Sequence, residues 1–165
     1  MQLSVLAQRL MVVPDRILNP LEDVMALAIR LWVGLQFFQS GWLKITSWEN
    51  TLFLFREEYH VPLLPPEIAA VAGTAGELGF SILIWVGLLG RLSAIGLGAV
   101  NAMAVVAYSH VLLAEGFEAA LGQHVLWGFA LLVLAVYGPG RLSADTLLLR
   151  GFWRDRTMTN APTVR

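Results

Sequence analysis

The chain has 165 residues, 57% of them hydrophobic and only 14% charged, with a formal net charge of −1. A chain of this size cannot hide so much apolar surface inside itself, so lipid is the solvent for most of it, and the near-neutral charge excludes a basic nucleic-acid-binding module. With no cysteine, disulfides, thiolate metal sites, Fe–S clusters and thiol redox centres are excluded as well.

In chain order, residues 1–20 form an N-terminal arm. Leu3, Leu6, Leu10 and Val13 recur at helical spacing, which predicts a short interfacial helix ended by Pro14. No small-residue cleavage site follows the first long apolar run, so a cleavable signal is not expected. Residues 21–138 contain four apolar segments, each near the ~20 residues a bilayer core requires. They run about from Leu21 to Leu43, Glu67 to Leu89, Leu92 to Leu113 and Leu121 to Tyr137. Prolines 62, 65 and 66, Gly90-Arg91, Glu115-Gly116 and Gly138-Pro139-Gly140 punctuate them. The expected fold is an all-α membrane protein, four transmembrane helices in an up-down-up-down bundle.

The loop after the first segment carries its own pattern. Thr46-Ser47-Trp48-Glu49 fits a capping box, and Ile45, Trp48, Leu52, Phe55 and Tyr59 then recur every three or four residues. That predicts an amphipathic helix in the first outer loop, starting at Ser47 and ended before Pro62, either a plain surface lid or a gate over a site beneath. Residues 139–165 form a tail. It is amphipathic at first (Leu142, Leu149, Phe152, Trp153), then polar and expected to be disordered from Asp155. Eight Lys and Arg residues fall on the side of the termini, against Lys44 and Arg56 on the other. The positive-inside rule therefore places both termini in the cytoplasm, and six glutamates collect in the outer loops.

Polar residues inside apolar spans are costly and so are the candidate site. At about 1.5 Å per residue, Arg30, Glu77 and Asn101 fall at similar depths of about 13–16 Å on three helices. This suggests an Arg30–Glu77 pair near the midplane, either a structural ion pair or the floor of a proton path or ligand pocket. Gln36 and His124 fall at about 21–22 Å, Tyr108 at about 25–27 Å and Lys44 at about 34 Å, within reach of the headgroups. Arg30, Gly34, Phe37, Gly41 and Lys44 share one stripe, and so do Thr74, Glu77 and Ser81. Such stripes fit either a shared cavity or interhelical hydrogen bonding. His110 and His124 differ by roughly 7 Å in depth, and His110 lies nine residues from Asn101 on the opposite helical face, which argues against a bis-histidine haem. No HExxH, Walker loop or GxGxxG occurs, and no metal site is assigned. The small residues Gly73, Gly76 and Gly79, with Ala94, Gly98 and Ala102, fit close packing inside the bundle or a homodimer face.

From Leu27 to Leu149 the pattern resembles the DoxX family of small four-helix membrane proteins. The resemblance rests on several features: the run Arg30…Gly34…Phe37…Gly41…Lys44; the loop from Phe53 to Pro66 with its terminal Pro65-Pro66; Glu77; Gly87-Leu88…Arg91-Leu92-Ser93-Ala94; and Gly138-Pro139-Gly140-Arg141-Leu142-Ser143…Asp145. It implies a bacterial inner-membrane protein. The family takes its name from a subunit of a thiosulfate:quinone oxidoreductase, and the two-proline loop is similar to a branch encoded beside small secreted metal-binding peptides. The expected function is accordingly an accessory or quinone-interacting subunit of a redox or metal-handling system, rather than a stand-alone enzyme. Arg30, Gln36, Lys44, Glu77, Asn101, Tyr108 and His124 are then the candidate ligand-binding residues and a quinone the candidate cofactor. The partners would be the bilayer, other membrane or periplasmic proteins and, in the dimer reading, a second copy. Two alternatives are a small transporter or export partner for a peptide or metal ion, and a purely structural partner of other subunits.

Overall fold

The computed structural model describes the backbone of residues 2–148 and the side chains of Leu18 and residues 21–148. Among these, every regular element is helical: α1 (Gln2–Thr46), α2 (Trp48–Glu57), α3 (Pro66–Val86), α4 (Gly90–Ala107), the single turn α5 (Ser109–Leu112) and α6 (Glu118–Tyr137), with residues 144–148 again helical at the end of the described chain. Three of them, α3, α4 and α6, are long and apolar enough to cross a membrane. The apolar stretch of α1 is interrupted by Arg30, Gln36, Gln39 and Lys44, and α1 is not among them. α1 packs on α3 and α6, and α4 packs on the same two helices. The four long helices thus close into a ring.

Burial is inverted relative to a water-soluble bundle. Arg30, Thr74, Glu77, Ser81, Ser93 and Asn101 are buried, while Trp42, Leu92, Val125, Phe129 and Leu132 are exposed. Hydrocarbon outside the ring makes this the favourable arrangement, because apolar side chains gain nothing by hiding and polar ones lose if they do not. The inner apolar core is small: Val33, Phe37, Ile84, Ala94, Leu97, Leu131 and Leu134.

Three local expectations are corrected. The α1 backbone is helical through Pro14 and Pro20; a proline in a helix interior removes one hydrogen bond and bends the helix without necessarily ending it. The side chains of Leu3, Leu6, Leu10 and Val13, and residues Leu149, Phe152 and Trp153, lie outside the described residues. Ser47 does stand at the N-terminus of α2, but its side chain makes no capping bond. Thr46 instead donates back to the Trp42 and Leu43 carbonyls of α1. Finally, the third apolar segment is not one helix. α4 stops at Ala107, Tyr108 leaves the helical conformation (φ −114°, ψ 21°), and α5 follows as a separate turn.

The end of the ring bearing the α3–α4 turn is fastened by two polar anchors. Arg30, only 2% exposed, donates to the carbonyls of Trp85 (3.0 Å), Pro139 (2.5 Å) and Leu142 (2.9 Å). It thereby satisfies a carbonyl in the last turn of α3 and two in the segment after α6, where helix ends leave acceptors without partners. Gly87 makes this approach possible. It closes α3 at φ +71°, and a Cβ there would fall 2.6 Å from Ser143 and 2.9 Å from the Arg30 guanidinium. Asp145 accepts the backbone N–H groups of Leu89 and Gly90, both at 2.8 Å, and so caps α4 from a distance in sequence. Residues 139–148 are therefore bound to the helices by specific contacts. Arg30→Met should lower stability by about 2 kcal/mol or more by orphaning these buried carbonyls. Its effect should simply add to that of a Glu77 substitution, since the two residues share no partner. Thermal unfolding of the purified variants in detergent checks both expectations.

Candidate functional site

The opposite end of the ring, covered by α2, contains a cavity of about 600 Å³. α2 is folded down onto it by a small apolar cluster. Phe55 packs with Ala69 and Ala70, flanked by Trp48, Leu52, Tyr59 and Val61. Trp48, Leu52, Phe55 and Tyr59 of the stripe read from the sequence are therefore the side that packs on the bundle, while Ile45 belongs to α1 and is exposed. Thr51, buried, donates to the Lys44 carbonyl at 3.0 Å and fixes the α1–α2 corner. Arg56 pairs with Glu67 at 2.7 Å on the surface, where water and salt screen the contact. The His60 N–H donates to the Ala107 carbonyl at 2.8 Å and pins the following loop to the end of α4.

The polar centre of the cavity wall is an ion pair between α1 and α3. Lys44 Nζ lies 2.7 Å from both carboxylate oxygens of Glu77 and 2.7 Å from Ser40 Oγ. Ser40 also donates to Glu77 Oε1 at 3.2 Å. The pair is sheltered, with the side chains 18% and 9% exposed. Gly41 is what lets the helices come this close, because a Cβ there would sit 2.8 Å from Leu78 and 3.1 Å from Glu77. The ammonium is committed to a carboxylate on two sides. An ammonium has no lone pair to take a proton, and here it donates to Ser40 Oγ.

Across the cavity, Asn101 and His124 join α4 to α6. Asn101 Nδ2 donates to the His124 carbonyl at 2.9 Å, and Asn101 Oδ1 lies 2.8 Å from His124 Nδ1. A carbonyl only accepts, so the amide orientation is fixed. Its oxygen must then accept from Nδ1–H, which leaves Nε2 of the neutral ring as an acceptor. His124 lines the cavity with Gln36, Phe37, Phe80 and Trp127, and Tyr59 and Tyr108 close it beneath α2. The two tyrosine rings meet edge to face at 5.2 Å. Burial raises the Tyr59 phenol above its ordinary value, and Tyr108, Glu77 and Glu58 push the same way, so Tyr59 keeps its O–H.

Five of the seven candidate residues, Gln36, Lys44, Glu77, Tyr108 and His124, line this one cavity. Asn101 stands behind His124 as its orienting partner. Arg30 does not belong to the site, and the Arg30–Glu77 pair is corrected to Lys44–Glu77. Arg30 bonds to the Trp85 carbonyl, eight residues beyond Glu77 and so about 12 Å farther along α3. Counting depth from Leu21 failed because α1 is helical well before that residue, and its turn at Asp23 and Ala26 already meets Gly140 and Arg141 beyond α6. Sequence reasoning missed Ser40, although it lies four residues before Lys44 on the same stripe, and missed Phe80 and Trp127, which read as ordinary apolar positions. The Lys44–Glu77 contact is intermediate between an exposed and a fully buried pair. Glu77→Leu or Lys44→Met alone should therefore cost about 1–3 kcal/mol, while the two changes combined recover most of the loss. A double-mutant cycle on melting temperature gives the coupling.

The family model described as DoxX matches residues 25–110, and the chain belongs to the DoxX family. No curated protein and no solved structure matches it.

Proposed function

We propose that this DoxX-family membrane protein binds a lipophilic ligand with a polar headgroup, of the quinone class, in the cavity beneath α2, as an accessory subunit of a membrane redox system. The observation that carries the reading is the cavity's division of labour. Its walls are apolar, with Phe37, Phe80, Val100, Met103 and Trp127, and its few polar groups converge from α1, α3, α6 and the break after α4. About 600 Å³ lies within the ~300–1,000 Å³ usual for small-molecule sites of this kind. The residues fit such a headgroup in both its forms. The Gln36 amide and the Tyr108 hydroxyl offer donors to carbonyl oxygens, and His124 Nε2 offers an acceptor to a hydroxyl; the Lys44–Glu77 pair supplies the charged wall beside them. A bound quinone would supply two-electron, two-proton carriage between membrane enzymes. The chain's own residues would bind and orient it.

In this reading α1 is the fourth span, since Lys44 is neutralised by Glu77 and the Arg30 charge is solvated by carbonyls. The location proposed is a bacterial inner membrane with both termini in the cytoplasm, supported by the excess of Lys and Arg at that end. The cavity then faces the outer leaflet, and neighbouring membrane or periplasmic subunits are the partners.

Gly73 provides the test. It lines the cavity, and a Cβ there meets only Phe55, at an ordinary 3.5 Å. Gly73→Leu should keep or slightly raise stability, by up to about 1 kcal/mol from helix propensity, while filling the site. Organic extraction of the purified protein followed by mass spectrometry should find a prenylated quinone in wild type and at least a tenfold lower yield in the variant. Equal yields, or none from wild type even after incubation with added quinone, would overturn the reading.

A further inference from the structure

His60 and His110 come from different elements, the loop after α2 and the turn α5, yet their ring centroids lie 4.7 Å apart. Nothing in the proposed ligand cavity uses them, and both are exposed. Their approach is built rather than incidental. The backbone of His60 is held to Ala107 at 2.8 Å, one residue before the break that releases His110 from α4. Tyr108, at that break, supports the His110 ring edge to face at 5.4 Å.

Two imidazoles bound to one late first-row metal at about 2.0–2.1 Å put their ring centroids roughly 4.5–5.2 Å apart, for angles at the metal between a right angle and tetrahedral. The observed separation falls in that range. The surrounding charge favours a cation. At this end of the molecule Lys44 is matched by Glu77 and Arg56 by Glu67. Glu49, Glu57, Glu58, Glu115 and Glu118 remain with no salt-bridge partner among the described residues. Among those residues no third His, Asp or Glu completes a closed cage. A cation held here would keep open positions for water or an incoming ligand, as an exchange site does and a structural one does not.

We propose that His60 and His110 form a two-imidazole, solvent-facing site for a borderline divalent cation of the Zn2+ or Cu2+ class. Imidazole nitrogens select such ions over Mg2+ and Ca2+. The site is independent of what occupies the cavity.

The experiment is calorimetric titration of Zn2+ into the full chain in detergent, without a polyhistidine tag. One saturable ion per chain is expected, with no comparable binding of Mg2+. His60→Gln and His110→Gln should each weaken Zn2+ binding about tenfold or more, at least what loss of an outer-shell partner costs. The double variant, with neither imidazole left, should lose saturable Zn2+ binding altogether. Both residues are exposed, so unchanged melting temperatures without metal should accompany the loss. A Cu2+ spectrum showing two coupled nitrogens in wild type and one in each single variant would identify the ligands directly. Absence of saturable binding in wild type, undiminished affinity in either single variant, or saturable binding that persists in the double variant would overturn the proposal.

Discussion

A charge placed in hydrocarbon must be answered from within the protein, and much of this structure follows from how three such charges are answered. The two terminal nitrogens of Arg30 are met by backbone carbonyls at the end of α3 and in the segment after α6, while its Nε has no partner. Lys44 and Glu77 answer each other across α1 and α3, with Ser40 between them. The first arrangement draws the segment after α6 back beneath α3. The second requires two backbones to come within the reach of a lysine, which Gly41 permits and a larger residue would prevent. An arginine is the suitable cation for the first task, since its planar fork spreads donors over several acceptors. A lysine suits the second, where a compact charge meets one carboxylate.

The two ends of the ring differ in how completely their polar groups are used. At the Arg30 end the inventory is nearly closed: Asp145 accepts two N–H groups, Asp23 accepts the Arg141 N–H and Ser143 is bonded to Gly140. At the α2 end capacity remains. The His124 ring has one nitrogen engaged by Asn101 and one left over, and Gln36 reaches only a long 3.5 Å contact to Trp32 in its own helix. Saturated polar networks hold a fold together. Buried polar groups with spare capacity around an apolar space are what a ligand would complete.

Periodicity made the stripes legible. Arg30, Gly34, Phe37 and Gly41 are all buried, as are Thr74, Glu77 and Ser81, because a stripe depends only on the 3.6-residue repeat that the helix enforces. Depth was not legible in the same way. It needs an origin, and the origin is a tertiary fact. α1 starts far before the level at which α3 and α6 end, so Arg30 sits a full layer away from Glu77 although arithmetic put them together. Helix continuity failed for the same kind of reason at the other end. Nothing in Tyr108-Ser109-His110 forbids a helix by propensity, so the break after Ala107, and with it the meeting of His110 and His60, was visible only in three dimensions.

That break also explains why the α2 end holds its chemistry in contact with water and lipid at once. A continuous α4 would have carried His110 nine residues on from Asn101 and away from His60. Ending the helix at Ala107 frees the Ala107 carbonyl for the His60 N–H and lets Tyr108 face inward against Tyr59 while His110 turns outward. One departure from helical geometry thus divides two neighbouring side chains between the cavity and the surface. Phe55, Tyr59, Tyr108 and His110 form an unbroken series of edge-to-face contacts between those two environments. An aromatic series suits this position because its members bury large apolar faces yet keep polar edges. The rim can then seal an apolar chamber without leaving a buried hydroxyl or imidazole that only water could satisfy.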